Sequence, residues 1–284
     1  MNTIAKVGVI GAGTMGHGIA QACAVGGIDV VLVDVAEAAM LHGLSAIASS
    51  LDRLVKKDRL AAATKDAALH RIHGTTDYAP LKDCDLVIEA ATENEALKLE
   101  ILRKVDAVAR PAALLATNTS SISITKLAAA TGRPAQFLGM HFFNPVPVMA
   151  LVELIRGLQT ADATVDRVAA FAKALGKTPI VVRNSPGFVV NRLLCPMINE
   201  AVFVLQEGLA TAEEIDSGMK LGCNHPIGPL ALADLVGLDV MLAVMEVFAR
   251  DFNDPKYRPA PLLREMVAAG YLGRKTGRGF HHYD

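Results

Sequence analysis

The stretch Val7-Gly8-Val9-Ile10-Gly11-Ala12-Gly13-Thr14-Met15-Gly16-His17-Gly18-Ile19-Ala20 decides the fold. A short apolar run leads straight into glycines at the spacing G-x-G-x-x-G. The pattern reads as a buried strand from Ala5 to Ile10, a tight turn, and a helix from Thr14 to Val25 that ends at Gly26-Gly27. Asp29 to Val33, rich in β-branched residues, supplies a second strand and completes a βαβ unit. Gly11 permits the turn, Gly13 lets a diphosphate approach the backbone, and Gly16 lets the helix pack against the sheet. Thr14 and Met15 stand between them at the helix N-terminus, where N–H donors and partial positive charge favour phosphate. Asp34 ends the second strand, eighteen residues after Gly16. A carboxylate there accepts hydrogen bonds from ribose hydroxyls and repels a 2′-phosphate, so NAD is expected in preference to NADP. FAD proteins share the glycine fingerprint, so the loop alone does not select nicotinamide.

Outward from this unit the alternation continues. Glu37 to about Leu60 reads as a long helix, Asp85 to Glu89 as an apolar strand, and Glu95 to Ala109 as a helix. Ala113 to Ala116 and Phe137 to Met140 add two short strands. Continuous apolar strands separated by helices predict a mainly parallel, doubly wound sheet of the Rossmann type. The style changes near Asn184-Ser185-Pro186-Gly187, where Ser185 is expected to cap a helix with Pro186 in its first turn. Helical segments follow: Phe188 to Gln206, Thr211 to Lys220, Leu230 to Leu235 and Leu238 to Phe252. Thr211 and Glu214 have capping-box spacing, and Pro226, Pro229 and Pro255 are read as helix breakers. The α/β fold thus divides into a dinucleotide-binding domain over 1–184 and an all-α domain over 185–284.

Bulk properties narrow the function. Of 284 residues, 52% are hydrophobic and 20% charged, enough for sizeable cores. A net charge of -1 disfavours a nucleic-acid binder, which needs a basic surface. Cys23, Cys84, Cys195 and Cys223 form no CxxC pair, so they read as reduced thiols, and no metal is expected. No apolar run is long enough to span a bilayer, and the N-terminus lacks the pattern of a signal peptide. A cytoplasmic enzyme is expected.

The second informative stretch is His141-Phe142-Phe143-Asn144-Pro145, with Glu153 twelve residues on. An imidazole moves protons near neutral pH, and a carboxylate on its other nitrogen fixes its tautomer and stabilises its charged form. Glu153 lies between Val152 and Leu154, an apolar setting that demands a partner, and Pro145 and Pro147 turn the chain between the two. Asn144 precedes proline and is held extended. Thr117-Asn118-Thr119-Ser120-Ser121 follows an apolar strand, the position where such sheets bind ligands. Asn191 interrupts an apolar helix and needs partners from substrate or backbone.

Taken together, VGVIGAGTMGHGIA (7–20), EAATEN (89–94), TNTSSISIT (117–125), HFFNPVPVMALVE (141–153), SPGFVVNRLL (185–194), DSGMKLGCNHPIGPLALADLVGLD (216–239) and GRKTGRGF (273–280) make the chain resemble the 3-hydroxyacyl-CoA dehydrogenases, of the short bacterial type acting on 3-hydroxybutyryl-CoA. The resemblance implies reversible NAD-dependent oxidation of an acyl-CoA substrate. It makes His141 the base, Glu153 its orienting carboxylate, Ser120 a contact to substrate and nicotinamide, and Asn191 a holder of the reacting carbonyl. Asp34, Glu93, Lys98, Ser120, Asn144 and Lys275 match NAD-contacting positions. Ser50 and Lys57 match coenzyme A contacts, Lys98 is placed to face the same ligand as well, and Arg53, one turn before Lys57, is placed to join them. The family is dimeric through the helical domain, which implies a homodimer with Leu221-Gly222 and Pro226 to Val236 as candidate contacts. Two other readings compete: a dehydrogenase of a free hydroxy acid, of the gulonate dehydrogenase and lambda-crystallin branch, and a non-catalytic dinucleotide binder. The coenzyme A positions separate the first, and the set His141, Glu153, Ser120 and Asn191 the second. His281-His282-Tyr283 reads as a packed tail.

Overall fold

A computed structural model describes residues 3–283. The chain divides into two compact units, with the break between Ser185 and Pro186. In the first unit the elements run β1 (Lys6–Ile10), α1 (Thr14–Val25), β2 (Asp29–Val33), α2 (Glu37–Lys56), α3 (Ala62–His70), β3 (Ile72–Thr75), β4 (Leu86–Glu89), α4 (Glu95–Val108), β5 (Leu114–Thr117), α5 (Ile124–Ala128), β6 (Phe137–Phe142), β7 (Leu151–Arg156), α6 (Asp162–Ala174) and β8 (Thr178–Arg183). The strands form one sheet in the order β3-β2-β1-β4-β5-β6-β7-β8. Every pairing is parallel except β6 with β7. Strand order reverses between β1 and β4, and the carboxyl ends there frame the crevice where open α/β sheets bind ligands. Val7, Val9, Leu32, Ile88, Ala116, Leu138 and Leu154 are buried in one core with Ile19, Ala20 and Ile47 from the helices. Continuous apolar strands follow from this covering of the sheet.

Several elements differ from the sequence reading. The long helix stops at Lys56, not near Leu60. Asp58 takes a left-handed conformation (φ 53°), and the Asp58 and Arg59 amides bond back to Val55 and Leu54. The chain then forms α3 and β3, which the sequence pattern did not suggest. β6 runs on to Phe142 and carries His141 inside a strand, and β7, α6 and β8 follow it.

The second unit holds α7 (Val190–Gln206), α8 (Ala212–Gly222), α9 (Pro229–Val236), α10 (Leu238–Phe252) and α11 (Pro261–Ala268). Its core gathers Ile198, Val202, Leu230, Leu238, Met241, Met245, Phe248 and Leu263. The Thr211 hydroxyl accepts from Glu214 N–H (3.3 Å) while Glu214 accepts from Thr211 N–H (2.9 Å), a closed capping box. Ser185 does not cap the next helix. Gly187 and Phe188 both have positive φ (74° and 51°), which no helical turn allows, so α7 starts only at Val190. Pro229 opens α9 as its first residue and does not break it, since a first-turn position needs no amide hydrogen.

Candidate active site

The glycine loop is closely packed. Gly11 has φ 95°, and a Cβ there would lie 2.7 Å from the Ala90 carbonyl oxygen. A Cβ on Gly16 would collide with the Gly11 carbonyl oxygen, whereas one on Gly13 would meet nothing. Two glycines are thus needed for packing, and the third faces open space. Gly13 stands at the N-cap of α1 with no side chain on the helix's first N–H groups. These donors remain for an anion. Asp34 closes the loop: its carboxylate accepts from Ala12 N–H (2.8 Å) and Ala36 N–H (3.1 Å). Beside it lies a cleft of about 620 Å³, bordered by Gly13, Met15, Asp34, Val35, Ala91 and Leu97. Open backbone donors, a carboxylate at the strand end and an apolar cleft between them suit a diphosphate, a ribose and an adenine. The residues present therefore fit NAD.

At the neighbouring strand ends, Ile10, Glu89, Thr117 and Gly139 lie side by side across β1, β4, β5 and β6. Glu89 is wholly buried and accepts from Lys98 Nζ (2.8 and 2.9 Å), Ala91 N–H (2.7 Å) and the Thr117 hydroxyl (2.6 Å). Glu93 accepts from the Thr119 hydroxyl (2.7 Å), from Ser120 N–H (2.9 Å) and from the Ser120 hydroxyl (3.3 Å). Lys98 is 1% exposed and lies 3.7 Å from Glu93. The sequence shows Lys98 as a cation on a helix. Its burial against Glu89 appears only in three dimensions, and Glu89 drew no assignment there.

His141 and Glu153 stand directly opposite each other on antiparallel β6 and β7. Nδ1 of His141 and Oε2 of Glu153 are 2.8 Å apart; His141 is 6% exposed and Glu153 fully buried. The Phe143 ring tilts against the imidazole at 4.6 Å. Asn118, at the end of β5, accepts from Phe142 N–H (2.9 Å) and so fixes the strand that carries His141. That role was not legible in the sequence. Asn144 is joined to Pro145 by a cis peptide bond, and the chain turns there toward β7.

Asn144 also borders a second cavity, of about 400 Å³, with Thr14, His17, Ser50, Arg53, Lys57 and Arg59. The structure thus gathers Ser50 and Arg53 from α2 and Lys57 just past its end on one hollow, and adds Arg59 and His17. Among the described residues no carboxylate pairs with Arg53, Lys57 or Arg59, and the buried Nδ1 of His17 has no partner. Such unpaired cations suit a phosphorylated ligand.

In the second unit, Asn191 occupies the first turn of α7, half-buried. Lys275 pairs with Asp239 (2.6 and 2.7 Å) on α10. His281 bonds to Asp216 (2.8 Å) and the Tyr283 hydroxyl to Asp234 (2.9 Å), and no group of His, Cys, Asp and Glu among the described residues has the arrangement to hold a metal ion. No described helix is long and apolar enough to cross a membrane.

Comparison with known proteins gives two family models in succession. The 3-hydroxyacyl-CoA dehydrogenase NAD binding domain matches residues 6–185, and the C-terminal domain of the same family matches 187–283. A probable 3-hydroxybutyryl-CoA dehydrogenase of Deinococcus radiodurans is 54% identical, over 98% of this chain and 100% of that one. The 3-hydroxybutyryl-CoA dehydrogenase of Bradyrhizobium diazoefficiens is 52% identical, over 99% and 96%. The crystal structure of (S)-3-hydroxybutyryl-CoA dehydrogenase from Ralstonia eutropha superposes with a TM-score of 0.97 at 67% identity, covering 99% of this chain and 100% of that one.

Proposed function

The chain belongs to the 3-hydroxyacyl-CoA dehydrogenase family and is an NAD-dependent dehydrogenase; from that premise we propose that it interconverts (S)-3-hydroxybutyryl-CoA and acetoacetyl-CoA with His141 as general acid and base. The observation that carries the proton step is the buried His141–Glu153 pair, 2.8 Å apart, on facing strands with His141 near the carboxyl end of β6. Bound in the cleft beside Asp34, NAD would supply the hydride acceptor for oxidation and, as NADH, the donor for reduction. His141 takes the hydroxyl proton in oxidation and gives it back in reduction. Glu153 engages Nδ1, which assigns the exchange with substrate to Nε2, and it stabilises the imidazolium once formed. Ser120 and Asn191 are assigned to hydrogen bonds with the reacting oxygen as its charge changes. For both residues that role rests on the resemblance.

Gly11, Gly13, Thr14, Met15 and Gly16 are assigned to the diphosphate and Asp34 to the ribose, with Glu93, Lys98, Asn144 and Lys275 as further cofactor positions. Ser50, Arg53 and Lys57 are assigned to coenzyme A. The cations on that cavity favour a thioester of coenzyme A over a free hydroxy acid, because the phosphates of coenzyme A supply the missing counter-charge. A homodimer through the helical unit is part of the proposal: Leu221 and Leu235 are 87% and 55% exposed there, an unusual state for large apolar side chains. A cytoplasmic setting is likewise proposed, which suits the four free thiols.

The test mixes the protein with acetoacetyl-CoA and NADH and follows NADH absorbance. Rapid loss with the thioester and none with free acetoacetate is the expected result. Equal rates with both would favour the free-acid reading.

A further inference from the structure

The cofactor assignment of Lys98 leaves its buried pairing with Glu89 without a task. Lys98, on α4, directs its ammonium to both oxygens of Glu89, and Glu89 also receives Ala91 N–H and the Thr117 hydroxyl. The pair therefore ties α4 to the ends of β4 and β5. The same ammonium stands 3.7 Å from Glu93 Oε2, too far to hydrogen-bond but close enough to attract. Glu93 keeps both oxygens for the next loop: Oε2 accepts from Thr119, and Oε1 accepts from Ser120 N–H and hydroxyl. Glu93 is thus held near one buried cation while its hydrogen bonds define the path of residues 119–120.

We infer that Lys98 and Glu89 are positioning residues: their buried pair anchors Glu93, and Glu93 sets the Ser120 loop. Lys98 thus acts on the loop through Glu93, in addition to its assignment as a cofactor position. The effect on turnover rests on the proposed role of Ser120; the effect on the loop does not.

Hydrogen exchange of segment 117–123 in the full-length protein tests the anchoring directly, with kcat as second readout. Lys98→Met alone strands a buried carboxylate and is expected to destabilise the fold, so the paired variant Glu89→Gln/Lys98→Met removes both charges together. Glu93→Gln is the reference. The paired variant is expected to speed exchange at Ser120 about tenfold, equivalent to losing one hydrogen bond to a charged group. Glu93→Gln gives the same increase, and the triple variant no more than either, because all three changes break one linkage. Should the paired variant fail to fold, Glu89→Gln carries the test: without its charged partner the ammonium is no longer fixed beside Glu93, and exchange at Ser120 rises by a similar factor. Unchanged exchange in a folded variant, or additive effects in the triple variant, overturns the inference. Ser120→Ala separates the two readings. Normal turnover in that variant removes Ser120 from the reaction and leaves the exchange result standing.

Discussion

At the scale of single residues, His141 and Glu153 carry the sharpest expectations. His141→Ala is expected to lower kcat by at least ~100-fold, the lower range for losing a general acid–base. Near-normal turnover would falsify the assignment. Glu153→Gln keeps the shape of the site but reverses the hydrogen-bonding demand on Nδ1, so a loss of kcat on the order of 100-fold is expected with KM little changed. Asp34→Ala is expected to weaken NADH binding and relax the preference against NADPH, read by titrating both cofactors. The partnership of His141 and Glu153 was legible from the local sequence, since a carboxylate between Val152 and Leu154 needs a partner and prolines turn the chain back toward the histidine. Its geometry was not: proline turns suggested a doubling back, while the register of two strands performs it. Lys98 and Glu89 were opaque for a different reason. A sequence gives the charge of a side chain, but whether water reaches it depends on Thr117 and Ala91, which stand elsewhere in the chain.

Secondary-structure elements were legible where hydrophobic period and end signals agree. α1 and β2 coincide with their sequence bounds, as does α10, because glycines and abrupt changes of polarity delimit them. β3 reads Ile-His-Gly-Thr, too polar and short to announce a strand, and only pairing with β2 makes it one. β7 contains Glu153 and ends in Arg156, so its apolar alternation is interrupted by the catalytic candidate itself. Two stability changes belong at this scale. Thr211→Ala opens the capping box of α8 and is expected to destabilise the helical unit by about 1 kcal/mol. Gly16→Ala forces a methyl into the Gly11 carbonyl and is expected to cost about 1–3 kcal/mol and to weaken NADH binding together. Thermal unfolding with and without NADH checks both.

Across the whole molecule, the charge and the apolar surface carry the expectations. The chain is nearly neutral overall, yet Arg53, Lys57 and Arg59 collect on one hollow. Replacing Arg53 and Lys57 by Gln is expected to raise KM for acetoacetyl-CoA about tenfold or more, with little effect on a truncated acetoacetyl thioester lacking the nucleotide. A parallel rise for both substrates would mean that the cations do not read phosphate. Burial pushes the thiols of Cys23 and Cys195 up to about 12 and that of Cys84 to about 11. With so little thiolate near pH 8, these three are expected to resist alkylation while the exposed Cys223 reacts. Cys223 neighbours Leu221, so its labelling also reports association: protection that disappears on dilution is the expected signature of the proposed dimer.

One consequence follows from the ladder joining β6 to β7. His141 and Glu153 are matched rung to rung, and the eight intervening positions from Phe143 to Ala150 lie outside both strands. Insertions or deletions within that excursion leave the acid–imidazole match untouched, whereas a slip of a single rung would turn the carboxylate to the opposite side of the sheet. The excursion also brings Asn144, Val146 and Val148 to the cationic hollow. Evolution, or a protein engineer, can therefore reshape the wall of that hollow while the proton-handling pair stays fixed.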